Sequence, residues 1–260
     1  MSTPAEIIIA VRNLKVGYED IVILHNLNFE VRQGEVFAIL GGSGSGKSTL
    51  LKNLIGLYVP LEGEVWIEGA NLVASTGDER LDLLRKFGVT YQSGALFGSM
   101  SVLENVRLPL DELTALPEPL KELAALAKLK LVGLGEAAQK LPAELSGGMQ
   151  KRAAIARAMA LDPRILFLDE PSAGLDPVTS ADLDLLITDL AHHFGITFVL
   201  VTHELASILA IADRVIMLDS RTRTIIAEGR PAELRDRATD PWVRRFFNRQ
   251  PDSAASGLHL

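Results

Sequence analysis

The segment Gly41-Gly42-Ser43-Gly44-Ser45-Gly46-Lys47-Ser48 fits G-x-x-x-x-G-K-[ST], a spacing that suits a phosphate cradle. Its glycines let the backbone turn tightly, so that successive N–H groups converge on one anion. Lys47 would reach the β- and γ-phosphates of a nucleotide, and the Ser48 hydroxyl would hold Mg²⁺. A Gly/Ser turn that merely precedes a lysine is the bland alternative, and the flanks argue against it. Glu35 to Leu40 reads as a short buried strand, and Ser48 to Ile55 has helical spacing that stops at Gly56. The helix then aims its positive end at the same anion.

Two further stretches carry chemistry. In Ile165-Leu166-Phe167-Leu168-Asp169-Glu170, an apolar run ends in two acids. A carboxylate at the exposed end of a buried strand suits the Mg²⁺ that accompanies phosphates, which makes Asp169 the natural metal partner. Glu170, one residue on, would face the attacking water as a general base. The second stretch, Leu145-Ser146-Gly147-Gly148-Met149-Gln150-Lys151-Arg152, opens a helical run from Ala153 to Leu161. It reads either as a Ser-capped helix start or as a second anion cradle. Two cradles for one nucleotide require either that the chain fold back on itself or that a two-fold dimer place the first loop of one copy opposite the second cradle of the other.

These groups need a scaffold, and the surrounding pattern supplies one. Glu6 to Val11, Ile21 to Leu24, Leu27 to Val31 and Gly63 to Gly69 read as short strands of an antiparallel layer. Arg80 to Lys86 reads as a short helix and Gly88 to Gln92 as a strand. From about Ser93 to Leu161 the texture is helical, with a capping-box spacing at Ser101–Glu104 and an Ala/Leu/Lys helix over Leu120–Leu131. Strand and helix then alternate again: Ile165–Leu168, Val178–Phe194, Thr197–Val201. Continuous apolar runs mark buried parallel strands, so the fold class expected is α/β. The expected division is an ATP-binding core over 5–92 and 162–236, a separate helical lobe over 93–161, and a C-terminal helix and tail over 237–260.

The chain has 260 residues, enough for a large core, and a formal charge of −7, which argues against coating nucleic acid. Hydrophobic residues make up 48% and aromatic ones 5%, so the core is aliphatic. Without cysteine, disulfides and thiolate metal sites are excluded. No secretory signal opens the sequence, and the longest apolar runs fall far short of the ~20 residues of a spanning helix. A soluble, cytoplasmic chain is expected.

The order of phosphate loop, Gln92, Leu145 to Gln150, apolar-Asp169-Glu170, Ser172-Ala173-Gly174-Leu175-Asp176 and His203 resembles the ATP-binding-cassette ATPases over roughly Glu6 to Glu233. The resemblance implies a P-loop NTPase core with an antiparallel β subdomain and a helical subdomain, binding ATP and Mg²⁺. It implies further that Tyr18 stacks on adenine and that Gly41 to Thr49 form the Walker A loop. Gln92 would sense Mg²⁺ and the γ-phosphate, and Ser146, Gly147 and Gly148 would grip the nucleotide of a second copy. Asp169 and Glu170 would be the Walker B acid and the catalytic base, Asp176 the D-loop acid at the dimer seam, and His203 the switch on the γ-phosphate. His203 also follows an apolar strand, where α/β sites lie. His25, His192, His193 and His259 match no motif and read as surface or helix residues.

Tyr91-Gln92-Ser93-Gly94-Ala95-Leu96-Phe97 resembles the corresponding loop of the Mla-type phospholipid-transport ATPases, as do Leu145–Arg152 and Asp240–Phe247. That likeness implies an integral membrane permease, an MCE-domain lipid-binding protein and a small STAS-domain protein as partners, no nucleic acid, and a peripheral place on the cytoplasmic face of the inner membrane. A cassette for amino acids, metals or lipoproteins is the runner-up, ahead of one serving DNA repair or translation. Leu96 and Phe97 would either line a shallow notch for a partner helix or pack inside the helical lobe.

Overall fold

The computed structural model describes residues 6–250. The expected bounds at 5 and 260, and the tail positions Pro251, Ser253, Gly257 and His259, lie outside them.

Two sheets face each other. The first pairs β1 (Ile7–Tyr18), β2 (Ile21–Arg32), β4 (Glu62–Ile67) and β5 (Ala70–Asn71) in the order β2-β1-β4-β5, all antiparallel. The stretches expected as two strands at Ile21–Leu24 and Leu27–Val31 are one strand. Asn26 takes a left-handed backbone (φ 52°) at an irregularity in the register, so the chain absorbs a kink without leaving the sheet. β1 likewise runs on past Val11 to Tyr18.

The second sheet holds β3 (Val36–Gly41), β6 (Phe87–Thr90), β7 (Ile165–Asp169), β8 (Thr197–Val201), β9 (Arg214–Asp219) and β10 (Thr224–Gly229), ordered β10-β9-β3-β8-β7-β6. All its pairs are parallel except β9 with β10. Every residue of β3 is buried, and its side chains alternate between two cores. Phe37 and Ile39 face the antiparallel layer, where Phe29 stacks on Phe37 with ring centroids 5.6 Å apart. Leu50, Leu51 and Leu54 of helix α1 (Lys47–Leu54) fill the same layer. Val36, Ala38 and Leu40 face the helices on the other side.

Those helices follow from sequence in readable ways. The α2 helix (Gly77–Arg85) precedes β6. Helix α3 (Val102–Leu113) starts at a complete capping box, in which Ser101 Oγ accepts from the Glu104 N–H at 3.2 Å and Glu104 accepts from the Ser101 N–H at 2.7 Å. Helices α4 (Glu118–Leu131) and α5 (Gly147–Ala158) complete the helical layer, and Ala125 and Leu129 of α4 with Ala153, Ile155 and Ala156 of α5 join the core on the sheet's outer face. Helix α6 (Pro177–Phe194) begins with Asp176 as cap and ends at Gly195, whose φ of 65° stops it. Helices α7 (Leu205–Ile211), α8 (Pro231–Arg237) and α9 (Pro241–Phe247) close the fold. Val243 and Phe247 of α9 are buried in that same outer core. Among the described residues no helix is long and apolar enough to cross a membrane.

Candidate functional site

Parallel pairing brings the carboxyl ends of three strands to one edge. Gly41 ends β3, Asp169 ends β7 directly opposite Val201 of β8, and His203 follows two residues later. The phosphate loop leaves β3 and enters α1 through Gly46, whose φ of 91° favours glycine. A Cβ there would come within 2.9 Å of Ile23 and Leu24, so side chains are excluded on two counts. Lys47 folds back over the loop and donates to the carbonyls of Gly41 and Gly42 at 2.9 and 3.0 Å. A phosphate entering the cradle would compete with these carbonyls for the ammonium. Burial pulls its pKa down, opposed by the charges of Glu170 and Asp169. Ser43 and Ser48 stay exposed, whereas Ser45 Oγ is buried without a hydrogen-bond partner.

Asp169 and Glu170 fit a divalent cation. Burial first, then the Glu170 charge, push the Asp169 carboxyl above its usual range. Asp169 Oδ1 is buried and makes no hydrogen bond, an acceptor that a cation would satisfy. Asp169 and Gln92 line one open cleft of about 580 Å³, with Tyr91, Ser93, Ala173 and Gly174. Asp169 and Gln92 thus share the cleft where Mg²⁺ would be held, with Ser48 the third ligand that the family resemblance implies, and the metal would neutralise phosphate charge.

Glu170 and His203 were expected on water and on phosphate respectively; the structure joins them. His203 Nδ1 lies 2.7 Å from Glu170 Oε1, so Nδ1–H donates and Nε2 is left free at the exposed face. Glu170 itself takes a left-handed backbone (φ 47°), uncommon for a non-glycine residue, which turns its side chain out of the strand line.

Tyr18 ends β1, is 42% exposed, meets Tyr58 edge-on at 5.6 Å and contacts Thr49 Oγ1 at 3.3 Å. This places an aromatic face beside the first turn of α1.

The second cradle behaves as a helix cap within this chain. Ser146 Oγ accepts from the Met149 N–H at 3.3 Å, and Gly147 and Gly148 form the first turn of α5. Their neighbours lie in and just before the next helix: a Cβ at Gly147 would lie 3.5 Å from Leu175, two residues ahead of α6, and one at Gly148 only 2.4 Å from Thr179 Cγ2 in its first turn. Among the described residues no hydrogen bond joins residues 146–148 to residues 41–49. Asp176 caps α6, accepting from the N–H groups of Val178 and Thr179 at 3.0 and 3.1 Å and from Thr179 Oγ1 at 2.6 Å. Those bonds, the Thr179 hydroxyl first, hold its carboxyl below the ordinary range.

The sequence reading missed three contributors. Lys151 and Arg157 of α5 hold carbonyls of the 92–95 loop, and two cations in an Ala-rich helix were the available signal. Trp242 lies 3.6 Å from where a Gly42 Cβ would stand, a contact between distant segments that no local pattern announces. The notch question divides: Leu96 packs against the core, while Phe97 is 52% exposed.

A glycine-rich phosphate loop, two acids at a strand end, a histidine beside the second acid and a capped Ser-Gly-Gly helix start occur together in one family. Residues 24–173 match the ABC transporter family, and the chain belongs to it. It is an ATP-binding ATPase of that family, with Mg²⁺ as the nucleotide's usual companion. The chain is 40% identical to the intermembrane phospholipid transport system ATP-binding protein MlaF of Haemophilus influenzae, over 87% of this chain and 85% of the relative. The Escherichia coli protein of the same name is 41% identical over 87% of this chain and 83% of its own. A probable ribonucleotide transport ATP-binding protein, mkl of Mycobacterium leprae, is 38% identical over 94% and 70%. Among solved structures, a dimeric ATP-binding cassette in a post-hydrolysis state with ADP and Pi superposes with a TM-score of 0.76 at 34% identity, covering 85% of this chain and 98% of the other. A cassette of Clostridium perfringens, part of an ABC transporter complex, gives 0.80 at 31% identity, covering 88% and 90%.

Proposed function

We propose that this chain is the ATP-hydrolysing subunit of a transporter that moves phospholipid across the cell envelope. The carrying observation is its likeness, at 40–41% identity over most of both chains, to proteins named for intermembrane phospholipid transport. Two copies pair around two Mg·ATP, with residues 93–161 acting as the lobe that moves against the core. Lys47, Ser48, Gln92 and Asp169 hold phosphates and metal, and Tyr18 stacks on adenine. Ser146, Gly147 and Gly148 complete the partner copy's site, with Asp176 at the seam. Support for pairing comes from Gly147 and Gly148, the signature glycines that open α5 (the signature helix), which neighbour Leu175 and Thr179 and not their own phosphate loop, and from the dimeric solved relative. On closure, Glu170 leaves His203 and takes the proton of the attacking water, while His203 turns to the γ-phosphate. The membrane partner is an integral permease met near Gln92 to Phe97, on the cytoplasmic face of the inner membrane, with MCE-domain and STAS-domain proteins in the wider assembly.

A second reading, ribonucleotide transport, is favoured by the mycobacterial relative. Both readings share a first test. Glu170→Gln should bind ATP and accumulate as a closed dimer in gel filtration with Mg²⁺; hydrolysis at the parent rate would remove Glu170 from its role. Purification with the permease then decides the cargo: co-purifying phospholipid and lipid transfer between vesicles support the first reading, and ATP-driven ribonucleotide uptake supports the second.

A further inference from the structure

Residues 91–101 link β6 to the helical layer, and α5 holds three of the four carbonyls of their stretch Gln92 to Ala95. Arg157 donates to Gly94 O at 2.9 Å and Ala95 O at 2.7 Å. Lys151 takes the Gln92 carbonyl. Gly94 and Ala95 both have positive φ, which turns these carbonyls toward the helix, and Gly94 is buried against Ala154 and Gln150. Loop and helix therefore form one hydrogen-bonded body.

Lys151 alone also reaches the other side of the site. Its Nζ lies 3.3 Å from the carbonyl oxygen of Glu170. That carbonyl belongs to the residue with the left-handed backbone, and its other donor is the Ala173 N–H at 3.2 Å. The Glu170 N–H is fixed separately, on Val201 O at 2.8 Å. The side chain is therefore aimed by a residue whose N–H is anchored in the sheet and whose carbonyl rests partly on an α5 cation. Burial lowers the Lys151 pKa, opposed by the Glu170 and Asp169 charges.

We infer that Lys151 is a positioning residue that couples the orientation of the signature helix, and the Gln92 loop bound to it, to the aim of the Glu170 side chain. Any rotation of α5 that seats Ser146–Gly148 on a partner's nucleotide moves Lys151 with it and acts on both carbonyls. Glu170 then comes into line only when the second cradle is engaged. Lys151 makes no hydrogen bond to the Glu170 carboxylate, so its loss leaves the base chemically intact and misaimed.

This inference rests on the proposed role of Glu170, and the experiment separates the two. The full chain is compared with Lys151→Met, Lys151→Arg and Glu170→Gln for steady-state ATP turnover, ADP affinity and thermal unfolding. Lys151→Met should lower kcat about tenfold or more, the scale of a misplaced catalytic group, while KM and ADP Kd stay within about twofold. Lys151→Arg, which keeps a donor, should restore most of the loss. If Lys151→Met does not stay folded, Lys151→Ala carries the same comparison. A kcat within about twofold of the parent overturns the inference, as does a loss in KM and kcat together that arginine fails to rescue. Parent-like turnover by Glu170→Gln would instead bring down the site reading beneath it.

Discussion

Gly148 offers the sharpest test of how the signature helix is seated. A methyl group added there would stand 2.4 Å from Thr179 Cγ2. Ordinary carbon contacts lie at about 3.5–4.0 Å, so α5 and α6 must part by about 1 Å or Thr179 must turn away. Thr179 resists turning, because it is β-branched and its Oγ1 is bound to Asp176 Oδ2 at 2.6 Å. Overpacking of this kind costs about 1–3 kcal/mol. For a chain of this length that is a fall in Tm of roughly 2–12 °C. A 1 Å displacement of a binding group also lowers turnover about a hundredfold. Gly148→Ala should therefore lose both stability and ATPase activity. Adding Thr179→Ser deletes Cγ2 and keeps the hydroxyl that donates to the Asp176 cap of α6, so the double variant should regain most of the Tm. Thermal unfolding by circular dichroism and a phosphate-release assay read the two effects. A Gly148→Ala chain as stable as the parent, or a double variant no more stable than the single one, would show that this contact does not set the spacing of the two helices.

Asp169→Asn should raise Tm in the absence of nucleotide and abolish turnover. The folded carboxyl is shifted upward by burial and by Glu170, so the contribution favouring folding exists below the unfolded pKa near 3.8 and is lost as pH rises through the folded value. Removing the charge recovers it, and the difference from the parent should narrow as pH is lowered toward 3.8; a Tm below the parent's at neutral pH would contradict the desolvation argument. Lys47→Ala should weaken ADP and ATP binding more than about tenfold, measured by equilibrium dialysis, because a half-buried cation aimed at phosphate is lost. Unchanged affinity would show that the loop amides suffice alone.

Much of this site was legible because its chemistry is local. The phosphate loop and its helix, the apolar run ending in Asp169, and the Ser101 capping box each depend on neighbours within a few residues, and each formed as spacing required. The elements that stayed hidden are those fixed by distant partners. β9 pairs with β3, far back in the chain, and β10 closes that edge of the sheet on β9, while α8 is too short for periodicity to show. The break expected between Leu24 and Leu27 fell on His25 and Asn26, where a bulge carries the strand through. The Glu170–His203 contact joins residues 33 apart in sequence, and no spacing rule announces which nitrogen meets which oxygen.

The placement of α9 bears on how the chain reaches its native state. Val36, near the beginning, and Phe247, near the end, belong to the same buried cluster, and β3 gains both its neighbours only after residue 196 has been made. The central sheet therefore cannot zip up progressively behind the ribosome. A nascent chain must carry an apolar β3 without either strand neighbour through most of its synthesis, with only the face toward β2 and α1 coverable early, and such unpaired edges favour self-association.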